Sequence, residues 1–266
     1  MIVFEQSDIW LQATLILASF GLVMGSFISV LIVRLPKKYD VVFKPSHCVH
    51  CQHRLSFLDL IPILSFVCLG GRCRYCKQKI GWRYVMLELI SLGLFTSGLM
   101  FLENPTMLIK WCVFVVLAMA LAGIDFEHFI LPDSLVGLLL AAGLFFASLE
   151  HQLLSAFLGA GLGAGIMWLI RFLGTKAFKK EAMGFGDVKL AASLGAFVGL
   201  KLTGLMLYGS FLVGLAMAAA MWLQQPKKKL SVIPFGPAML VSAGLSMLFE
   251  PKLIKWVSNW FLNSSL

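Results

Sequence analysis

Long apolar stretches recur along the whole chain, and they constrain its fold more than any other feature. Of its 266 residues, 59% are hydrophobic and only 13% are charged, whereas soluble domains carry about twice that share of charge. A soluble globule of this composition would expose apolar side chains over most of its surface. One apolar stretch would indicate an anchored soluble domain, but repeated stretches indicate a polytopic membrane protein.

Eight stretches are candidates for transmembrane helices, which need about 20 mostly apolar residues each. They cover residues 9–33, 84–102, 107–124, 133–149, 152–173, 187–200, 203–223 and 232–249. The stretch 187–200 is short for a full span. The first stretch is too long for a signal peptide and has no basic segment before it, so we expect it to be the first helix. The sequence therefore predicts an all-α polytopic membrane protein with about eight transmembrane helices.

The positions of the basic residues predict the orientation in the membrane. With the N-terminus outside, 18 of the 22 Lys and Arg residues fall in cytoplasmic segments, at residues 34–83, 171–189 and 227–229. Because cytoplasmic loops are enriched in Lys and Arg, this bias predicts a bacterial inner-membrane protein with both termini in the periplasm. The same distribution accounts for the net charge of +9 through topology and contacts with anionic lipid, without a nucleic-acid partner.

Two Cys-x-x-Cys pairs lie in the cytoplasmic segment 34–83, with 21 residues between the pairs. Their four members are Cys48, Cys51, Cys73 and Cys76. Two such pairs supply the four ligands of a tetrahedral zinc site, and full Cys ligation leaves no open position, so a structural zinc is expected. Disulfides are disfavoured in a reducing compartment. Free thiols or a redox role are the alternatives to zinc, as is replacement of one Cys by a neighbouring histidine, namely His47, His50 or His53.

Two further patterns concern packing. The apolar residues 55–69 are interrupted by Asp59 and Pro62 and are too few to span easily, which predicts a re-entrant or interfacial segment. Glycines alternate with other residues over 159–165, and small residues allow membrane helices to approach closely.

Acidic residues within or beside the apolar stretches are few: Glu88, Asp125, Glu127, Asp133 and Asp187. Charge inside a bilayer is costly, so such residues mark a function or a paired contact. Asp133 follows Pro132 and opens an apolar stretch, so we expect it to cap that helix. Glu127 is expected to be a solvated loop charge. Glu88 could pair with a base, coordinate a partner or lie near the interface.

Asp125 and Asp187 have the context of a catalytic pair. Asp125 ends the third stretch, and Asp187 begins the sixth, after Gly184 and Gly186. Both are predicted on the cytoplasmic side, and two carboxyl groups held close together can share one proton. One can then deprotonate a water while the other protonates the departing amide, and glycines beside Asp187 let a substrate backbone approach. From the residues alone, a proton or ion relay in a transporter is equally compatible.

Helix polarity predicts an asymmetry within this pair. The positive end of a helix dipole favours the carboxylate of Asp187, whereas the negative end favours the neutral acid at Asp125. We therefore expect Asp187 to carry more of the charge in the resting protein.

Five segments, taken together and in this order, resemble the type IV prepilin peptidases, also called prepilin leader peptidase/N-methyltransferases. These are Gly-x-Gly-Asp intramembrane aspartyl proteases. The matching segments are residues 25–36 (Gly-Ser-Phe, then Arg-Leu-Pro), 58–65, 125–133, 184–189 and 233–237 (Ile-Pro-Phe-Gly-Pro). The resemblance covers nearly the whole chain. It implies three parts: a first transmembrane helix over 1–33, a cytoplasmic four-Cys loop over 34–83, and a transmembrane protease core over 84–266.

The resemblance also implies an activity. Asp125 and Asp187 would be catalytic, with supporting roles for four residues: Gly184, Gly186, Lys189 and Glu88. The substrates would be type IV prepilins or type II secretion pseudopilins, cleaved after a Gly that ends a short basic leader. Many members then methylate the new N-terminus with S-adenosylmethionine. Ser29 and Val85 stand where the family usually has Asn and Pro, in the half linked to methyl transfer. A proton- or ion-coupled transporter and a non-catalytic zinc-knuckle assembly protein are the alternatives.

Overall fold

The structure is a computed structural model that describes residues 2–41, 43–102, 104–181, 183–224 and 234–263. Side chains are described from residue 10 to residue 250 within these ranges, except at positions 178 and 224. Three features noted in the sequence lie outside the described residues. They are the basic cluster 227–229, the first two residues of the stretch 232–249, and Ile233 of the segment 233–237.

The described part of the chain is helical, as the sequence predicts. Its α-helices are α1 (Ile2–Arg34), α2 (Leu64–Cys68), α3 (Arg83–Phe101), α4 (Pro105–His128), α5 (Asp133–Leu149), α6 (Leu153–Phe178), α7 (Phe185–Val198), α8 (Leu200–Gln224) and α9 (Gly236–Asn263). Strand pairing in the described residues is limited to two isolated bridges, His47 with Arg54 and Arg72 with Lys79. Each of the eight predicted stretches coincides with a helix longer than ten residues.

Five of these helices are long and apolar enough to cross a membrane, in the ranges Trp10–Lys37, Arg83–Phe101, Pro105–His128, Leu153–Ala177 and Leu200–Leu223. The helix α5 and the range Gly236–Glu250 are apolar but shorter, and α7 has only 14 residues. The total of eight transmembrane helices therefore stays a prediction.

The surface of the five long helices is apolar. In each helix, only 17% to 44% of the most apolar 18-residue stretch is buried within the protein. Leu154 and Leu223, for example, are 74% and 71% exposed. Exposure of such an apolar surface to water is unfavourable, whereas lipid tails solvate it. The protein is accordingly a multi-pass membrane protein.

The chain divides into two units, Met1–Ala120 and Leu121–Leu266. In the first unit, α1 and α3 pack with their backbones close together. The Oγ of Ser91 donates a hydrogen bond to the carbonyl oxygen of Gly21, at 2.7 Å. A Cβ added at Gly25 would lie only 2.6 Å from the Cα of Glu88. The glycine of the Gly-Ser-Phe segment thus permits this helix contact.

In the second unit, the short helix α7 is largely buried between α5 and α6. Eight of its 14 residues are buried, and the Oγ of Ser193 donates to the carbonyl oxygen of Val136 on α5 at 3.0 Å. On the other side, Gly195 of α7 and Gly159 of α6 touch through their backbones. Because α7 is enclosed on both sides, it holds its first turn, which carries Asp187, in a defined place.

The glycine contact between α6 and α7 yields a stability prediction. In Gly159→Ala the new methyl group would strike the carbonyl oxygen of Gly195, so we expect the free energy of unfolding to fall by about 1–3 kcal/mol. The measurement is SDS-titrated unfolding in mixed micelles. Gly161→Ala, two residues away with no atom within 4 Å of the added Cβ, is the matched control and should not lose stability. Equal stability of the two variants would contradict this packing.

Candidate active site and cysteine cluster

The structure brings Asp125 and Asp187 together within the second unit. Asp125 lies in the last turn of α4 and is 6% exposed, and Asp187 lies in the first turn of α7, where it is half-buried. The two carboxyl groups are close enough to repel each other electrostatically. Two helix ends thus place two acidic side chains near each other, one of them buried and the other half-buried.

A third helix end also contacts this pair. The backbone N–H of Gly236, the first residue of α9, donates a hydrogen bond to Oδ2 of Asp125 at 3.1 Å. The sequence pattern singled out the segment 233–237 but did not indicate what it contacts. Asp125 therefore lies at the C-terminus of α4 and at the N-terminus of α9, whose dipoles act on it in opposite senses. The charge asymmetry expected from α4 and α7 alone accordingly stays a prediction.

The two glycines before Asp187 have different surroundings. Gly184 is exposed, and a Cβ added there would lie 3.7 Å from Oδ2 of Asp187. At Gly186, the added Cβ would instead lie 3.4 Å from the side chain of Leu131. Gly184 adopts an extended conformation with φ −65°, and neither glycine has a positive φ. Neither glycine is therefore required by a positive φ, and a Cβ added at either position would meet its neighbours at ordinary van der Waals distance.

Lys189 contacts Asp133, which corrects one expectation. Its Nζ lies 2.8 Å from Oδ1 of Asp133 in a partly exposed ion pair between α7 and α5. The N-cap position of α5 is occupied by Pro132, and no side chain caps that helix, so the predicted capping role of Asp133 is wrong. Asp133 is the first helical residue, and its carboxylate bonds to a cation instead of to a backbone N–H. An exposed pair of this kind contributes about 0–1 kcal/mol.

Glu88 lies in the first unit, away in sequence from the aspartate pair, and is 7% exposed. Its Oε2 accepts a hydrogen bond from the backbone N–H of Ile63 at 2.8 Å. Ile63 has φ +58° and ψ −52°, and Leu64 donates its N–H to the carbonyl oxygen of Pro62. This is a γ-turn of the rare type with positive φ, a conformation that a β-branched residue strongly disfavours. Glu88 therefore anchors a strained turn of the loop to α3.

The loop residues around this turn are held by a second acidic residue. Asp59 accepts hydrogen bonds from Ser56 and from Nε of Arg74, the latter at 2.7 Å. Burial opposes ionisation of Asp59, but these hydrogen bonds and the charge of Arg74 outweigh it and lower its pKa to about 2. The residues 55–69 form two short helical pieces, a 3-10 helix at Phe57–Leu60 and α2. Several of their apolar side chains, including Phe57 at 82%, are exposed.

The four loop cysteines form one cluster. The Sγ atoms of Cys48, Cys51, Cys73 and Cys76 all lie within 4.8 Å of one another. Those of Cys48 and Cys76 are 3.9 Å apart. A tetrahedron with Zn–S bonds of about 2.3 Å places sulfur atoms about 3.8 Å apart. The donor set and its spacing thus fit a zinc ion.

The two cysteine pairs lie in turns of the same construction. Cys48 donates its N–H to the carbonyl oxygen of His53 and accepts from the N–H of Gln52. Cys73 does the same with Gln78 and Lys77. The residues that follow the second cysteine of each pair, Gln52 and Lys77, both have φ close to +60°. This repeated turn aims both thiols of each pair at one point. No histidine belongs to this cluster in the part of the chain that the structure describes.

Comparisons with known proteins agree with the motifs. The family model described as bacterial peptidase A24 N-terminal domain matches residues 19–102, and that of the type IV leader peptidase family matches residues 112–219. Relatives from several bacteria bear the name prepilin leader peptidase/N-methyltransferase. That of Aeromonas hydrophila is 32% identical, over 95% of this chain and 96% of the relative. That of Dickeya chrysanthemi is 35% identical, over 91% and 93%. That of Pseudomonas aeruginosa is 32% identical, over 88% and 90%.

No solved structure matches the chain significantly, so its membership rests on these sequence matches and on their coverage. The first family model covers the segment with the four clustered cysteines, and the second covers the two aspartates with Gly184 and Gly186. The resemblance is thereby confirmed, and the chain belongs to the type IV leader peptidase family.

Proposed function

We propose that the protein is an aspartic endopeptidase that removes the short basic leader of type IV prepilins or pseudopilins, and that Asp125 and Asp187 form its catalytic pair. The observation that carries this proposal is the meeting of the two carboxyl groups at the ends of α4 and α7. Both lie in a chain whose relatives are named prepilin leader peptidases. No specific observation favours the alternative of a proton- or ion-coupled transporter.

The pair performs the hydrolysis by moving two protons. The ionised carboxylate takes a proton from a water molecule while the water oxygen bonds to the carbonyl carbon of the leader glycine. The protonated partner gives its proton to the amide nitrogen as the carbon–nitrogen bond breaks. Low exposure of Asp125 keeps bulk water from competing for the shared proton. Exposed Gly184, beside the carboxyl group of Asp187, leaves room for an extended substrate backbone.

The proposed site faces the cytoplasm. The basic segments 34–83 and 171–189 support this side for the loop and for the connection that leads into α7. A prepilin whose apolar helix lies in the bilayer would present the basic end of its leader there. The termini of the chain then lie in the periplasm.

Methyl transfer to the new N-terminus is proposed as the second activity, with S-adenosylmethionine as the methyl donor. The relatives carry N-methyltransferase in their names, and the first unit contains the region matched by the A24 N-terminal domain. Ser29 and Val85, which depart from the family pattern, are both buried. Ser29 satisfies its hydroxyl by donating to the carbonyl oxygen of Ser26 at 2.6 Å, so neither departure leaves an unpaired polar group.

A structural zinc ion in the cysteine cluster is also proposed. Zinc would link the turns that carry the two Cys-x-x-Cys pairs and would restrict the motion of the loop between α1 and α3. Glu88 would add a second restraint through Ile63. Exposed apolar side chains such as Phe57 support an interfacial position for residues 55–69 in contact with lipid.

The catalytic pair is tested by two conservative substitutions. Asp125→Asn and Asp187→Asn keep the shape of the side chain but remove the titrating group, so each should lower kcat by at least about 100-fold. The assay is cleavage of a prepilin by the purified protein in detergent, followed by mass spectrometry. Glu127→Gln, in the same turn as Asp125 and exposed, is the matched control and should cleave normally. Full cleavage by either Asn variant would remove that aspartate from the pair.

Zinc is tested by metal analysis of the purified protein. We expect about one zinc ion per chain, bound by four thiolates. Cys51→Ser removes one ligand and should lower the zinc content well below this value. Cys68→Ser removes an exposed thiol outside the cluster and should leave it unchanged. A wild-type protein without stoichiometric zinc would contradict the proposal.

The anchoring role of Glu88 is tested by hydrogen exchange. Glu88→Leu removes the acceptor for the N–H of Ile63, and the strained turn should relax, so peptides covering residues 58–65 should exchange faster. Glu88→Gln retains an amide oxygen as acceptor and should exchange almost as the wild type does. Mass spectrometry of the exchanged peptides supplies the comparison. Equal exchange in Glu88→Leu and the wild type would show that the turn does not depend on Glu88.

A further inference from the structure

The start of α9 is fitted closely against Asp125. The N–H of Gly236 donates to Oδ2 of Asp125 at 3.1 Å. A Cβ added at Gly236 would lie 2.5 Å from the same oxygen and 3.2 Å from Cγ of Asp125. Carbon and oxygen atoms that are not bonded do not approach to 2.5 Å, so only glycine at this position allows the observed hydrogen bond. The side chain of Leu131, which also lies near Gly186, would be 3.4 Å from the Cβ added at Gly236.

The position of Gly236 is itself fixed by packing against α8. The ring of Phe235 lies 5.2 Å from that of Phe211, measured between centroids. A Cβ at Gly214 would lie 3.2 Å from the Phe235 ring, which shows how closely this ring covers α8. One and a half turns into α9, Ser242 donates its hydroxyl to the carbonyl oxygen of Met206 on α8 at 2.7 Å. The helix cannot slide away from Asp125 without losing these contacts.

The hydrogen bond distinguishes the two oxygens of Asp125. An oxygen that accepts an N–H offers it a lone pair, which disfavours a proton on that oxygen. Oδ2 of Asp125 is engaged in this way, whereas its Oδ1 has no hydrogen-bond partner among the described residues. The hydrogen bond therefore favours Oδ1 as the oxygen that exchanges a proton with water, substrate or Asp187.

We propose that Gly236 is a positioning residue of the peptidase reaction, whose N–H holds Oδ2 of Asp125 so that Oδ1 transfers the proton. The inference rests on the proposed catalytic pair and deepens it. Whichever aspartate receives the proton of the attacking water, the proton that Asp125 takes or gives passes through Oδ1. In this role Gly236 acts by fixing the rotation of the carboxyl group.

The test is the steady-state kinetics of Gly236→Ala with a prepilin substrate in detergent. The new methyl group must displace the carboxyl group or the helix start, and misplacement by about 1 Å costs roughly 100-fold in rate. We expect kcat to fall by about that factor, while KM changes less than about threefold, because the substrate-binding surface is untouched. The matched control is Gly137→Ala on α5, where no atom lies within 4 Å of the added Cβ. Its kcat and KM should match those of the wild type.

A second variant decides the matter if Gly236→Ala does not fold. Gly214→Ala pushes the Phe235 ring by a few tenths of an ångström, so it should move Gly236 slightly and lower kcat by about twofold to tenfold. Its melting temperature should stay close to that of the wild type. An unchanged kcat in folded Gly236→Ala, or in Gly214→Ala if the former does not fold, would overturn the inference. A matching rise in KM would likewise contradict a role in positioning alone.

Failure of this inference is distinguishable from failure of the proposed function. If Asp125→Asn is inactive and Gly236→Ala is fully active, Asp125 is catalytic and its orientation does not depend on α9. If Asp125→Asn still cleaves the substrate, the catalytic pair itself is wrong, and the inference about Gly236 falls with it.

Discussion

The enclosure of α7 is the constraint on which the geometry of the second unit depends. This helix is too short to span a bilayer with ease, and its backbone touches that of α6 where Gly195 meets Gly159. Packing this close permits only small residues at the contact. Because of this packing, the first turn of α7 is held firmly enough to keep Asp187 near Asp125, although mutual repulsion of two carboxylates favours their separation.

The proposed catalytic pair and the residue that contacts it all lie at helix ends. Asp125 closes α4, Asp187 opens α7 and Gly236 opens α9. Helix ends carry free backbone groups that can contact side chains, whereas the middle of a membrane helix has none to spare. The backbone N–H of Gly236 is one such free donor. It supplies a hydrogen bond to the carboxyl group of Asp125 without the use of a polar side chain.

Much of the fold could be predicted from the sequence, because apolar periodicity and length are local properties. The predicted stretch 133–149 coincides with α5, and the cluster of four thiols follows from the spacing of the Cys-x-x-Cys pairs. Contacts between distant segments could not be predicted in this way. Asp133 bonds to Lys189 instead of capping its helix, because α7 brings a cation within reach. The γ-turn at Ile63 contradicts the preference of a β-branched residue, and its contact with the distant Glu88 helps to hold it.

In the proposed mechanism, Asp125 and Asp187 share one proton and act as a unit. Infrared difference spectroscopy of the purified protein at neutral pH tests this most directly, since a protonated carboxyl group has its own C=O stretching band. A shared proton should give the wild type a band that is lost from both Asp125→Asn and Asp187→Asn, because either substitution removes half of the shared site. A wild-type spectrum without any band that both substitutions remove would contradict a proton shared by the two aspartates.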